Sequence, residues 1–233
     1  MDRAARLINR ALELSISSIR PGSTCRSIAD RIDQSLIRGG ADPGSIIRIS
    51  PESVVWHGMP GDRGLRYGEI LSVDVACSVH GWWADMARTF PVGDIDESRR
   101  RLIRGAWEGT RIAARNTEWE PAGGDLASRL AAVAEFHGIA LIPEAAGHGI
   151  GRRLHEPAVL TYDRNDPSAL DVDRGYTAEP VFTTGAPLLS IANDGSTVTA
   201  DGAPSAHFEV TFVLLGHGSV VLGDPEWLER PPC

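Results

Sequence analysis

Residues 69–92 read EILSVDVACSVHGWWADMARTFPV, and this stretch has the alternating pattern of two β-strands. In the first strand Asp74 shares one face with its alternate neighbours, and apolar residues fill the other face. A turn near His80-Gly81 leads into a second strand from Trp82 to Phe90, which contains Asp85. The stretch therefore predicts an antiparallel hairpin that carries an aspartate on each strand.

The two aspartates of this hairpin suggest a bound cation. If the centre of the hairpin lies between Val79 and His80, Asp74 and Asp85 are direct cross-strand partners, roughly 5 Å apart at the backbone. Two carboxylates at that distance repel each other unless a cation lies between them. The hairpin thus predicts part of a metal site.

Helices are predicted on both sides of the hairpin. The pattern of residues 3–19 is that of an amphipathic helix ending before Pro21-Gly22, and Ser23 or Thr24 can cap a second helix that ends at Gly39-Gly40. Two further helices are predicted from Glu97 to about Asn116 and from Asp125 to about His137.

Most of the remaining chain has the composition of strands. These predicted strands are Ile46 to Val55, Thr177 to Thr183, Leu188 to Ile191 and His207 to Leu215. The order of helix pair, strands, helix pair and strands indicates an α+β protein with two similar halves, although no sequence repeat supports the similarity. We expect residues 1–233 to form a single domain.

Composition excludes several classes of function. Hydrophobic residues make up 42% of the 233 residues and charged residues 23%, as in ordinary globular proteins. The net charge of −8 argues against a nucleic-acid partner, and no apolar run has the length of a membrane span. The N-terminus lacks the unbroken apolar stretch of a signal peptide, so we expect a cytoplasmic protein. All 23 basic residues are arginine, which excludes lysine-based catalysis.

Five residues form a candidate set of metal ligands. Asp74 and Asp85 lie in the hairpin, His148 lies in the glycine-rich run 147–151, and Glu179 and Glu209 each interrupt an apolar β pattern. A lone buried aspartate is more often a turn or cap residue than a ligand. The whole set, however, suits two divalent ions that share bridging carboxylates and activate a water molecule at neutral pH.

The chain also resembles the methionine aminopeptidases. The similarity runs collinearly from about Ala4 to Val221. It rests on six segments in the family's order and spacing, which are His57–Pro60, Ser72–Val75, Ala84–Phe90, Gly147–Gly151 with Leu154–Pro157, Ala178–Pro180 and Ser205–Glu209. The resemblance implies the pita-bread fold, in which two pseudo-symmetric α+β halves place curved antiparallel sheet around a dinuclear metal site.

Metal-ligand roles follow from the resemblance, position by position. It implies that Asp74 binds one metal, that Asp85 and Glu209 bridge both, and that His148 and Glu179 bind the other. The two divalent ions are manganese, iron, cobalt or zinc, because mixed carboxylate and imidazole ligands accept each of them. The resemblance further suggests a monomer that acts on a peptide or a small amine-bearing substrate.

Three residues are candidates for catalysis. His57 and His155 match the two histidines of the family that are not ligands, near the amide nitrogen and the carbonyl oxygen of the scissile bond. His155 would donate to the developing oxyanion, His57 would serve the leaving amine, and Glu179 would take the proton from metal-bound water. The alternative for both histidines is a loop residue satisfied by backbone groups.

The predicted substrate pocket departs from the family. Arg48 occupies a position where the family usually has a small cysteine, Leu154 replaces a common aromatic residue, and Ser196 lies about where tryptophan is often found. His207 shares the face of Glu209 in an ideal strand and would border the site. Arg48 either points to solvent or lines the pocket and pairs with a carboxylate of the substrate.

Three functions fit these observations. The first is metal-dependent removal of an N-terminal residue, by family default methionine, from peptides. The second is a pita-bread hydrolase with an altered pocket that acts on a small peptide or amide in specialised metabolism. The third, a metal-free binding protein, is disfavoured because a binding surface has no need to keep clustered carboxylates together.

Overall fold

The computed structural model describes residues 1–115, 124–144, 147–162, 170–224 and 226–232. All four predicted helices are present, although the predicted end of the third at Asn116 lies outside the described residues. The helices are α1 (Asp2–Ser15), α2 (Cys25–Gly39), α3 (Glu97–Ala114) and α4 (Gly124–His137), with 3₁₀ turns at Ile16–Ser18 and Glu226–Glu229.

Local capping sets the helix ends. The Thr24 side chain accepts a hydrogen bond from the Ser27 N–H at the start of α2, so Thr24 is the cap. The Asp96 carboxylate does the same for the Arg99 N–H at the start of α3. Helix α2 is capped at its C-terminus by Gly40, whose φ of 87° is the left-handed conformation that glycine adopts without strain.

The described residues also form fourteen strands, which pair in the antiparallel sense. They are β1 (Ile46–Pro51), β2 (Val54–Trp56), β3 (Ile70–Val79), β4 (Trp82–Pro91), β5 (Ala140–Leu141), β6 (Gly147–Ile150), β7 (Glu156–Leu160), β8 (Arg174–Ala178), β9 (Val181–Thr183), β10 (Leu189–Ile191), β11 (Thr197–Thr199), β12 (Ser205–His207), β13 (Val210–Leu215) and β14 (Gly218–Val221). The sheets have the orders β1-β3-β4, β10-β11-β2, β12-β9-β5 and β14-β13-β8-β6-β7.

The central hairpin forms as predicted, but the predicted register is wrong. Asp74 lies opposite Ala87, and Asp85 lies opposite Ala76. The reason is the tight two-residue turn at His80-Gly81, where both residues have positive φ, so the hairpin centre lies one residue further along the chain than expected. The two aspartates are therefore diagonal neighbours, which still share one face of the sheet.

Each helix pair covers its own set of strands. Helices α1 and α2 pack on the β1-β3-β4 sheet, and α3 packs on β8, β9, β12 and β13. An antiparallel bridge between Ala87 and Glu209 joins the hairpin to the second set. This arrangement brings residues from both halves of the chain to one place. No helix in the described ranges is long and apolar enough to cross a membrane.

Candidate metal centre and active site

The five predicted metal ligands line one cavity of about 490 Å³. Asp74 and Asp85 reach it from β3 and β4, and His148 reaches it from β6. Glu179 directly follows β8, and Glu209 lies between β12 and β13. The β3-β4 hairpin and three other segments of the chain thus bring four carboxylates and an imidazole together.

Interatomic distances within this set suit a metal centre. The His148 Nε2 atom lies 3.7 Å from Glu179 Oε1 and 4.0 Å from Asp85 Oδ2. One ligand atom each of Asp85, His148 and Glu209 lie within 4.8 Å of one another. Asp74 is the diagonal neighbour of Asp85 on the same face of the hairpin, so the Asp74 carboxylate lies beside these ligand atoms.

Two buried carboxylate oxygens in this group lack a hydrogen-bond donor. Asp85 Oδ1 and Glu209 Oε1 are buried and accept no hydrogen bond from the described part of the chain. A buried acceptor without a donor costs about 1–3 kcal/mol, and more when it is charged. A divalent cation satisfies such oxygens, and mixed carboxylate and imidazole donors suit first-row divalent metals. The residues therefore fit a metal site.

The raised pKa values of the four carboxyl groups also fit a metal site. Burial raises the pKa of Asp74 to about 6 and that of Glu179 to about 8. Burial, followed by repulsion from neighbouring carboxylates, raises the pKa values of Asp85 and Glu209 well above their usual range. Burial lowers the pKa of His148. Without cations the cluster therefore favours neutral side chains, and bound cations would restore the ionised carboxylates.

Two buried threonines, which the sequence analysis missed, hold the ligands in place. The Thr177 hydroxyl donates to Glu179 Oε1 over 2.9 Å and accepts from the His148 N–H over 2.9 Å. The Thr211 hydroxyl donates to the Asp85 carbonyl and accepts from the Asp85 N–H. The sequence held one sign of the role of Thr177. It lies two residues before Glu179, and residues two apart share a face of an extended chain.

We expect Thr177→Val to weaken metal binding by about 10–100-fold, because residues that orient metal ligands contribute that much to affinity. Calorimetric titration of the chelated protein with Mn²⁺ measures the effect. Thr183→Val is the matched control, since Thr183 is equally buried and its hydroxyl donates to the Pro204 carbonyl instead. An equal loss in both variants would refute a specific role for Thr177.

Both predicted catalytic histidines lie at this cavity. His57 and His155 are exposed and line it, and the His155 ring centre lies 4.4 Å from that of His148. His57 has a φ of 63°, which is uncommon for a non-glycine residue. The next residue, Gly58, packs so closely on β1 that an added Cβ would lie 2.3 Å from the Ile49 carbonyl oxygen. This contact fixes the loop that presents His57.

The four predicted pocket residues separate into two groups. Arg48 and Leu154 line the cavity, whereas Ser196 and His207 do not. The Ser196 hydroxyl donates to Asp194 Oδ1 in a loop between β10 and β11. His207 is 3% exposed, and β12 ends at this residue, so the continuous strand assumed between His207 and Glu209 is interrupted. Simple strand alternation therefore does not relate the side chain of His207 to that of Glu209.

Comparisons with known proteins agree with this geometry. A family model described as metallopeptidase family M24 matches residues 1–214. A methionine aminopeptidase from Clostridium perfringens is 32% identical over 95% of this chain and 94% of that protein. The crystal structure of a methionine aminopeptidase from Rickettsia prowazekii has a TM-score of 0.88 at 25% identity and covers 94% of both chains. A prolidase from Pyrococcus furiosus, at 19% identity, shares the fold with a TM-score of 0.77 over 96% of this chain and 62% of that chain.

These likenesses confirm the resemblance to methionine aminopeptidases and the α+β pita-bread fold. Membership of the matched family also implies that the protein binds a divalent metal, for which Asp85, His148 and Glu209 form a candidate group. The chain belongs to metallopeptidase family M24 and is a metal-dependent hydrolase.

Proposed function

We propose that the protein is an aminopeptidase that hydrolyses the first peptide bond of a peptide, with methionine as the preferred N-terminal residue. The observation that carries this proposal is that the five ligand residues share one cavity with two exposed histidines. The relatives at 28–32% identity, which are named methionine aminopeptidases, support the choice of substrate.

The ligand set supports two cations. Asp74 would bind one ion, Asp85 and Glu209 would bridge, and His148 and Glu179 would bind the other, with manganese, iron, cobalt or zinc as the metal. When bound, two divalent cations would polarise the scissile carbonyl and lower the pKa of a water molecule towards neutrality. The two orphaned carboxylate oxygens support their presence.

Three side chains of the cavity would move or hold protons. Glu179 accepts a proton from the attacking water, a role open to it once bound cations have restored its ionised form. His155 donates a hydrogen bond to the carbonyl oxygen as negative charge develops there. His57, which directly follows β2, assists the departing amine. Both histidines line the cavity with exposed side chains, so a substrate can reach them.

The walls of the cavity bear on the choice of substrate. The apolar side chains that line it are Ile46, Trp56, Leu154 and Val159. They would hold an apolar first residue such as methionine and exclude water from it. The guanidinium of Arg48 lies among them, and this favours the second candidate, a hydrolase for a small peptide or amide in specialised metabolism.

The remaining properties follow from sequence and family. We propose a single-domain monomer that acts in the cytoplasm, as its resemblance to the methionine aminopeptidases suggests. The net charge of −8 makes a nucleic-acid partner unfavourable.

A panel of amide-capped tripeptides that differ only in the first residue tests the activity. Metal-reconstituted protein is expected to release the first residue, and methionine fastest. Chelation is expected to abolish the release, and added Mn²⁺ to restore it. No cleavage of any peptide by protein that holds two ions would overturn the proposed function.

A further inference from the structure

Arg48 is a charged residue in the wall of the metal cavity that the proposed chemistry does not use. It lies in β1 directly opposite Asp74 of β3, so its side chain leaves the sheet on the same face as a metal ligand. The side chain is half-buried and lines the cavity. Arg48 therefore faces any substrate that reaches the metals.

The guanidinium of Arg48 has a weak hydrogen-bond acceptor, and its charge acts on Asp74, where it lowers the pKa that burial raises. Its Nη1 atom lies 2.6 Å from the Met59 sulfur, and within the described ranges it forms no ion pair with a carboxylate. A thioether is a weak acceptor, whereas a guanidinium presents five donors in a planar fork. Such a fork matches the two oxygens of a carboxylate, with which it forms paired, charge-assisted hydrogen bonds.

Under the proposed function, the positive charge of Arg48 remains available to a substrate anion. Under the proposed function, the oxygens of Asp74 are engaged by metal, and two dications balance the four ligand carboxylates. Glu144 also lines the cavity, but it is exposed and makes no ion pair with Arg48. The neighbouring side chains Trp56 and Leu154 are apolar and half-buried, which strengthens an ion pair formed beside them.

We propose that Arg48 binds a carboxylate of the substrate and so makes the enzyme selective for peptides that carry one close to the scissile bond. The inference rests on the proposed function and specifies its substrate class. The carboxylate has two sources, the side chain of an acidic first residue or the C-terminal carboxylate of a dipeptide. The second source is compatible with methionine as the first residue.

Two matched peptide pairs separate these sources. The first pair is Glu-Ala-amide and Gln-Ala-amide, and the second is Met-Ala with a free carboxylate and Met-Ala-amide. In one pair kcat/KM is expected to be at least about tenfold higher for the charged member, because a bidentate pair contributes that much. Arg48→Met is expected to remove the preference by slowing the charged peptide alone.

Further variants control for charge and folding. Arg48→Lys keeps the charge without the fork and is expected to retain part of the preference. Arg38→Met removes an exposed arginine from α2 and is expected to change neither pair. Thermal melts verify that each variant folds. Absence of preference in both pairs, or a preference that survives Arg48→Met, overturns the proposal.

A binding measurement keeps this inference separate from the proposed function. If protein that holds two ions cleaves neither these four peptides nor the tripeptide panel, the proposed function fails, but calorimetric titration of the Mn²⁺-treated protein with the four peptides still tests Arg48. Tighter binding of a charged peptide, lost in Arg48→Met, would support carboxylate recognition. Equal binding of charged and neutral peptides would overturn it.

Discussion

Replacing Asp85 with asparagine is expected to lower kcat/KM by about 1000-fold or more, while it stabilises the chelated protein. The loss follows because Asp85 is proposed to bridge the cations, whose contribution to the transition state is several kcal/mol. The gain follows because burial and repulsion from Asp74 and Glu179 force Asp85 to take up a proton on folding at neutral pH, and asparagine avoids this cost in free energy. An asparagine of the same shape carries no charge and cannot be repelled.

This opposite response of activity and stability separates a lost metal ligand from a damaged fold. Metal content, kcat/KM and the melting temperature after chelation are measured on the same preparations. Asp30→Asn is the matched control, because Asp30 is exposed on α2, and we expect it to change none of the three. An Asp85→Asn protein that keeps activity within tenfold of the original would contradict the role of Asp85 as a ligand.

The fold was predictable wherever periodicity was long and continuous. The long strands β3 and β4 alternate over ten residues each, and the helices carry apolar stripes with recognisable caps such as Thr24. The register between the two strands was not predictable from alternation, because the conformation of the turn at His80-Gly81 decides it. Short strands such as β5 and β11 escaped prediction, since two or three residues define no period.

The candidate site was likewise only partly predictable from the sequence. The five proposed ligands were singled out because the carboxylates lie within apolar β patterns and the imidazole lies in a glycine-rich run, and all five line one cavity. The supporting role of Thr177 was missed, because threonine is an ordinary strand residue and only the fold shows what its hydroxyl contacts. The prediction for His207 assumed a continuous strand to Glu209, and no local signal marks the end of β12 at His207.

After chelation, the free energy of unfolding is expected to fall as the pH rises from 4 to 9. Burial raises the pKa of Asp74 to about 6 and that of Glu179 to about 8, whereas unfolded carboxyls titrate near pH 4. A carboxyl pKa that is higher in the folded than in the unfolded protein means that the folded protein holds the carboxyl proton more tightly. The resulting stability is fully present below about pH 4 and is lost as the pH rises through the folded pKa values.

Urea unfolding at several pH values, with chelator or with saturating Mn²⁺, measures this dependence. The expected fall in the chelated protein is on the order of a few kcal/mol, because the carboxylates titrate as an interacting group rather than independently. Asp85→Asn is expected to give a shallower curve, since it removes one of the repelling carboxylates from the cluster. A chelated protein whose stability stays constant or rises over this range would contradict the assignment of these pKa shifts.

The metal-loaded protein is expected to show the opposite slope. Cations bind the ionised carboxylates and the neutral imidazole of His148, so binding releases protons and strengthens as the pH rises. Stabilisation by the metal, which grows with its affinity, is therefore expected to be largest where the chelated protein is weakest. The two unfolding curves should diverge from pH 5 upwards, because the cluster that destabilises the metal-free fold is the one that binds the cations. Parallel curves would mean that the buried carboxylates do not couple folding to metal binding.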